Sequence, residues 1–192
     1  MKFSEMPYVR PDAEALKKEL TALTERLKNA ATYEEAREAF LEEQKVSRSM
    51  ETQATLASVR HSIDTRDAFY DGEEKFWNNV SPELEEYQQA WKAAMLDSRF
   101  RSEFTAEYGD LMFLNAEIAR KCFTPEIIPE MQQENDLVQE YEKLLASAQI
   151  PFEGKTYTLS QLTPLKSDPD DARRLAAWQA DDKWAREHAA EL

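Results

Sequence analysis

Between Thr32 and Asp71 the chain contains neither glycine nor proline. Only three glycines, Gly72, Gly109 and Gly154, occur in all 192 residues. Glycine supplies most tight turns, so a chain this poor in it folds from long helices rather than from many short strands. Abundant Ala, Leu, Glu, Lys and Gln point the same way. A continuous helix from Thr32 to Gly72 would be roughly 60 Å long at ~1.5 Å per residue, and no residue marks a break in it.

Punctuation sets the other elements. Residues 1–11 form an extended lead-in, because Pro7 and Pro11 oppose helix. Asp12 caps a first helix with the apolar stripe Leu16, Leu20, Leu23 and Leu27, and residues 29–31 form a short link. Thr32 and Glu35 form a capping box. The following helix is crowded with charge up to Lys45. Between Ser47 and Ile63 its charges thin to Arg48, Glu51 and Arg60, with Met50, Leu56, Val59 and Ile63 among small residues. That composition predicts an exposed first half and an interior second half.

Ser81-Pro82 reads as the start of a new helix with the stripe Leu84, Tyr87, Trp91 and Met95. Ser98 and Gly109 bound a shorter helix carrying Phe100, Phe104 and Tyr108. A helix over 110–121 places Leu111, Leu114, Ile118 and Cys122 on one face, with Cys122 expected as a small buried hydrophobe. Thr124-Pro125 opens a helix reaching about Ser147. Residues 149–159 alternate about Glu153-Gly154, which predicts a hairpin packed on a helix. A last helix begins at Asp168-Pro169, carries Leu175, Trp178 and Trp184, and runs into Leu192 with no stop signal. The aromatic residues at helical spacing are expected in the core. The predicted fold is all-α, a lobe of antiparallel helices over 1–148, with 149–192 as a hairpin plus the start of a further helix.

Charge and composition exclude several functions. A net charge of −14 opposes binding to nucleic acid and to anionic membranes. No apolar run approaches the roughly 20 residues of a membrane span. The N-terminus lacks the apolar core of a secretion signal, and a single cysteine suits a reducing compartment. A cytoplasmic protein is expected.

Metal and catalytic motifs are incomplete. His-Glu-x-x-His places two imidazoles on one helix face with a general base beside the metal-bound water, and it is absent. His188-x-x-Glu191 ends in Leu192 where the inverse motif needs a second histidine. Neither histidine has Glu three residues before it, as a di-iron bundle requires. His61 and Asp64 share a helix face, but no nucleophile is marked beside them, so His61 is expected as a partly buried histidine hydrogen-bonded to a neighbour. Arg60, His61 and Asp64 on a charge-poor helix need partners or water. They are candidate lining residues of a solvent-filled channel.

Three stretches carry a resemblance. They are Ala54 through Tyr70, Thr124-Pro-Glu-Ile-Ile, and Ala146 through Leu162. As a set they resemble the N-terminal part of oligoendopeptidase F type (thimet oligopeptidase-like) zinc metallopeptidases, over essentially the whole chain. The resemblance implies a helical, non-catalytic front lobe forming one wall of the channel in which the enzyme cleaves internal bonds of short peptides. It implies zinc in a C-terminal catalytic lobe, none in this chain, and no activity for these residues alone. The uncapped last helix suggests a chain cut at that point, with Trp178 and Trp184 as candidates for a face where the missing lobe docks. The other reading is a free-standing helical binding or scaffold module derived from that family.

Overall fold

A computed structural model describes residues 2–192, so position 1 of the lead-in lies outside the described residues. The chain divides into two compact units, Met1–Asn135 and Asp136–Leu192. Helix holds 77% of the chain, and the strands form one two-stranded sheet among the described residues, so the fold is all-α with a small hairpin.

In the first unit, α1 (Ala13–Asn29), α2 (Tyr33–Ile63) and α3 (Ala68–Leu96) pack on one another. Short links between them make antiparallel neighbours. Asp12 accepts a hydrogen bond from the Ala15 amide at 3.0 Å and caps α1. Leu20, Leu23 and Leu27 are buried as the stripe requires. Thr32 Oγ1 accepts from the Glu35 amide, but the Glu35 carboxylate reaches past Thr32 to the Ala31 amide at 2.6 Å. The expected box is therefore displaced by one residue.

Four more expected features of this unit differ. First, the long helix breaks at Asp64–Asp67. Asp67 accepts from the Phe69 and Tyr70 amides, a cap strong enough to start α3 without glycine or proline. Second, the second half of α2 is one-sided. Leu56, Ala57 and His61 are buried while Val59 and Ile63 are exposed, because small residues permit cover on several sides without supplying it. Third, Ser81-Pro82 does not start a helix, since Pro82 is buried inside α3. Proline lacks an N–H, so it cannot supply the helical donor that would bond the Asn78 carbonyl four residues earlier. Asn135 Nδ2 donates to that carbonyl at 3.1 Å, and Gln132 Nε2 donates to the next one, Asn79 O, at 2.7 Å. Both amides lie early in the helix α6 (Ile128–Ala146), so tertiary donors keep α3 unbroken through its proline.

Fourth, helices α4 (Arg101–Tyr108) and α5 (Leu111–Cys122) follow in this unit, and α5 shows a face opposite to the one expected. Phe113 and Ala116 are buried, while Leu111, Leu114, Ile118 and Cys122 are exposed. Gly109 ends α4 with φ 85° and donates to Thr105 O. Phe104 is fully buried with edge contacts to Tyr33 and Phe40, inside a core that includes Leu23, Leu27, Trp91 and Met95.

In the second unit, β1 (Ile150–Phe152) pairs antiparallel with β2 (Lys155–Tyr157). Glu153 and Gly154 both take positive φ, 50° and 76°, the conformation of a tight hairpin turn. The hairpin packs on α8 (Asp171–Glu187), and α7 (Leu159–Leu162) adds Leu162 to a core of Ala148, Ile150, Phe152, Ala177 and Trp184. The cap of α8 is Asp170, two residues later than Asp168, and the helix stops at Glu187 rather than reaching Leu192. Trp184 is buried. Trp178 and Leu175 are more than half exposed, against the expectation of core for the tryptophan.

Candidate functional site

The region singled out in the sequence lies where α2 ends and α3 begins, and the lead-in is tied onto it. Pro7 and Pro11 keep Tyr8, Val9 and Arg10 extended, which lets each reach a different residue. The Val9 amide donates to Gln53 Oε1 at 2.8 Å. Tyr8 Oη donates to Glu73 Oε2 at 2.5 Å and accepts from Trp77 Nε1 at 3.2 Å. Arg10 forks onto Glu73 with contacts of 2.6 and 2.8 Å.

Glu73 is 4% exposed. The Arg10 guanidinium holds its carboxyl below the usual carboxylate range, against the opposing effect of burial. Burial first, and the Glu73 carboxylate second, push the Tyr8 hydroxyl well above its ordinary value. This network escaped sequence reasoning. Its only advance signal is an aromatic and a base bracketed by prolines, facing one acid near Phe76 and Trp77.

The three candidate residues do not converge. Arg60 donates to Tyr70 Oη at 2.7 Å and to Met6 O at 2.6 Å, and its guanidinium lies over the Phe3 and Tyr70 rings. It fastens the lead-in. His61 is completely buried, its Nε2 is 3.5 Å from Asp71 Oδ1, and neither ring nitrogen makes a hydrogen bond among the described residues. The expected hydrogen-bonded histidine is thus a fully buried one facing α3. Asp64 lies exposed in the link, where Arg66 Nε donates to it at 2.9 Å and lowers its pKa. No hydrogen bond joins Arg60 to Asp64 through their side chains.

A shallow recess of about 480 Å³ opens here between Phe3, Met6, Tyr8, Arg60, Phe69 and Tyr70. Aromatic faces and a guanidinium already committed to carbonyls suit it to contact and not to bond making. It holds no nucleophile paired with a base.

Zinc does not fit the donor set. Among the described residues no three His, Cys, Asp or Glu side chains gather closely enough to hold a metal ion. His61 is sealed in the first unit. His188, in the second, stacks on Trp184 with Nδ1 2.9 Å from Trp184 O.

A family model described as the peptidase M3 N-terminal domain matches residues 3–123. The chain belongs to that family. Solved structures agree over its whole length. A protein described as a provisional oligoendopeptidase F superposes with a TM-score of 0.96 at 35% identity, covering 100% of this chain and 34% of its own. PZ peptidase A, solved with an inhibitor, gives a TM-score of 0.95 at 36% identity, with 99% and 34% covered. A second provisional oligoendopeptidase F, from Bacillus anthracis, gives 0.96 at 36% identity, with 100% and 35% covered. No curated protein matches. This M3 N-terminal domain thus spans about a third of the length of the solved relatives it resembles.

Proposed function

We propose that the chain is the non-catalytic N-terminal portion of a zinc-dependent oligoendopeptidase, and that its helices form a wall of the channel in which short peptides are cut at internal bonds. Full-length superposition on peptidase chains about three times as long carries the reading. The lack of a His-Glu-x-x-His motif in the chain agrees with it. Zinc, the peptide substrate and the hydrolytic residues belong to the remaining two thirds of such a polypeptide. Arg60, at the recess beside α2, and Asp64, exposed in the link that follows it, are the proposed channel contacts whose side chains reach the surface. His61 instead supports the wall from inside. A cytoplasmic setting suits the single exposed Cys122, and no helix among the described residues is long and apolar enough to cross a membrane.

The test is a cleavage assay on the purified chain with added zinc and internally quenched peptides of varied sequence, alongside metal analysis. No cleavage and no stoichiometric zinc are expected. Turnover that co-purifies with the chain and disappears with a chelator would refute the non-catalytic assignment.

A further inference from the structure

Two carboxylates are buried among the described residues, and they differ in what neutralises them. Glu73 has the Arg10 guanidinium and the Tyr8 hydroxyl. Glu43, 5% exposed, accepts only from neutral groups on its own helix, Ser47 Oγ at 2.6 Å and Gln44 Nε2 at 2.9 Å. No cationic nitrogen of the described residues pairs with it. A carboxylate withdrawn from water without a counter-ion is costly, and Glu43 lies beside open space.

That space is a recess of about 260 Å³ between α2 and α3. Glu43, Ser47 and Glu51 line it from α2, and Trp91 from α3. Its volume falls below the roughly 300–1,000 Å³ of sites for drug-sized ligands, so it suits one side chain. Indole rings attract cations. Of the two bases that also line it, Lys92 pairs with Glu85 at 3.0 Å, and Arg48 donates through Nε to Gln44 O at 2.9 Å and makes no ion pair with Glu43.

We propose that this recess receives a single guanidinium or primary ammonium group, the side chain of an arginine or lysine in a peptide, with Glu43 as its counter-ion. Ser47 orients the carboxylate and Trp91 forms the aromatic side of the site. The inference stands on Glu43 and its surroundings and is independent of the peptidase reading.

The experiment titrates N-acetyl-arginine amide into the 192-residue chain, followed by amide and indole NMR shifts. N-acetyl-citrulline amide serves as the uncharged control. Saturable shifts at Glu43, Ser47 and the Trp91 indole are expected with arginine only. Glu43→Gln should weaken binding at least about tenfold, the loss expected for a charge-assisted hydrogen bond. The same variant should match or exceed the wild-type thermal midpoint, because it removes a buried charge that lacks a counter-ion. Ser47→Ala, which keeps the charge, should still bind. Absence of saturable shifts, equal binding of citrulline, or unchanged affinity in Glu43→Gln would overturn the proposal. So would a lowered midpoint in both Glu43→Gln and Arg48→Gln, which would mean that Arg48 turns inward and already neutralises the site.

Discussion

Asn135→Ala should destabilise the first unit through a carbonyl to which Pro82 gives no helical N–H. Pro82 sits fully buried in the middle of α3, and it cannot supply the helical N–H that would bond the Asn78 carbonyl. Asn135 Nδ2 replaces that donor at 3.1 Å. Removing this tertiary donor from a largely buried carbonyl should cost about 1–3 kcal/mol. The Gln132 bond at 2.7 Å remains on the neighbouring carbonyl, Asn79 O, so α3 should weaken without separating.

The diagnostic is a double-mutant cycle with Pro82→Ala. Alanine restores an N–H that bonds Asn78 O from within α3, so Asn135 becomes dispensable there. In that background Asn135→Ala should lose about 1 kcal/mol or more of its effect, within the range measured for residues sharing one hydrogen-bond network. Urea unfolding followed by circular dichroism, with unchanged slopes required before values are compared, measures all four corners. Equal costs of Asn135→Ala with and without Pro82 would refute the assignment of Asn135 as the replacement donor.

Two further perturbations test the lead-in and the hairpin. Glu73 has its pKa lowered by Arg10, so its contribution is full above the ordinary glutamate value of 4.5 and is lost as pH falls through the lower folded value. Thermal melts between about pH 6 and about pH 3 should show wild type losing more stability than Glu73→Gln, which itself should cost about 1.5–3 kcal/mol at neutral pH; parallel acid losses would rule out the linkage. Gly154→Ala puts a side chain at φ 76°, where there is open space and strain is the only penalty, so the second unit should lose about 1–2 kcal/mol, read from Trp184 fluorescence in denaturant.

The all-helical character was legible because glycine scarcity and capping residues are local signals. Asp12 and Gly109 act where the sequence places them. The hairpin at Glu153-Gly154 was legible for the same reason, since the turn conformation is a property of two adjacent residues. Misreadings arose where distant residues decide the outcome. Pro82 looks like a helix start until Asn135 and Gln132, more than fifty positions away, supply the missing donors. The break before α3 was hidden because Asp67 caps without either usual breaker. Apolar spacing on α5 identified a stripe at Leu111, Leu114 and Ile118, yet spacing alone does not say which face meets the core, and Phe113 and Ala116 do.

The candidate site was legible only in part. Arg60, His61 and Asp64 are adjacent in sequence and helical phase, and that adjacency suggested one shared environment. Each found a separate partner instead. Arg60 went to the lead-in carbonyls, His61 to the interior near Asp71, and Asp64 to Arg66. Glu43 carried no sequence signal at all, since a glutamate within a charged run reads as solvated surface. Its burial and lack of a counter-ion are properties of packing against α3.

The most direct test of the assignment is to read the native gene beyond the codon for Leu192. An open frame running several hundred codons to a His-Glu-x-x-His motif is the predicted result, and it would make these helices the front lobe of a zinc oligoendopeptidase. A stop codon directly after Leu192 in the native gene would contradict that assignment and leave a helical binding module of peptidase ancestry.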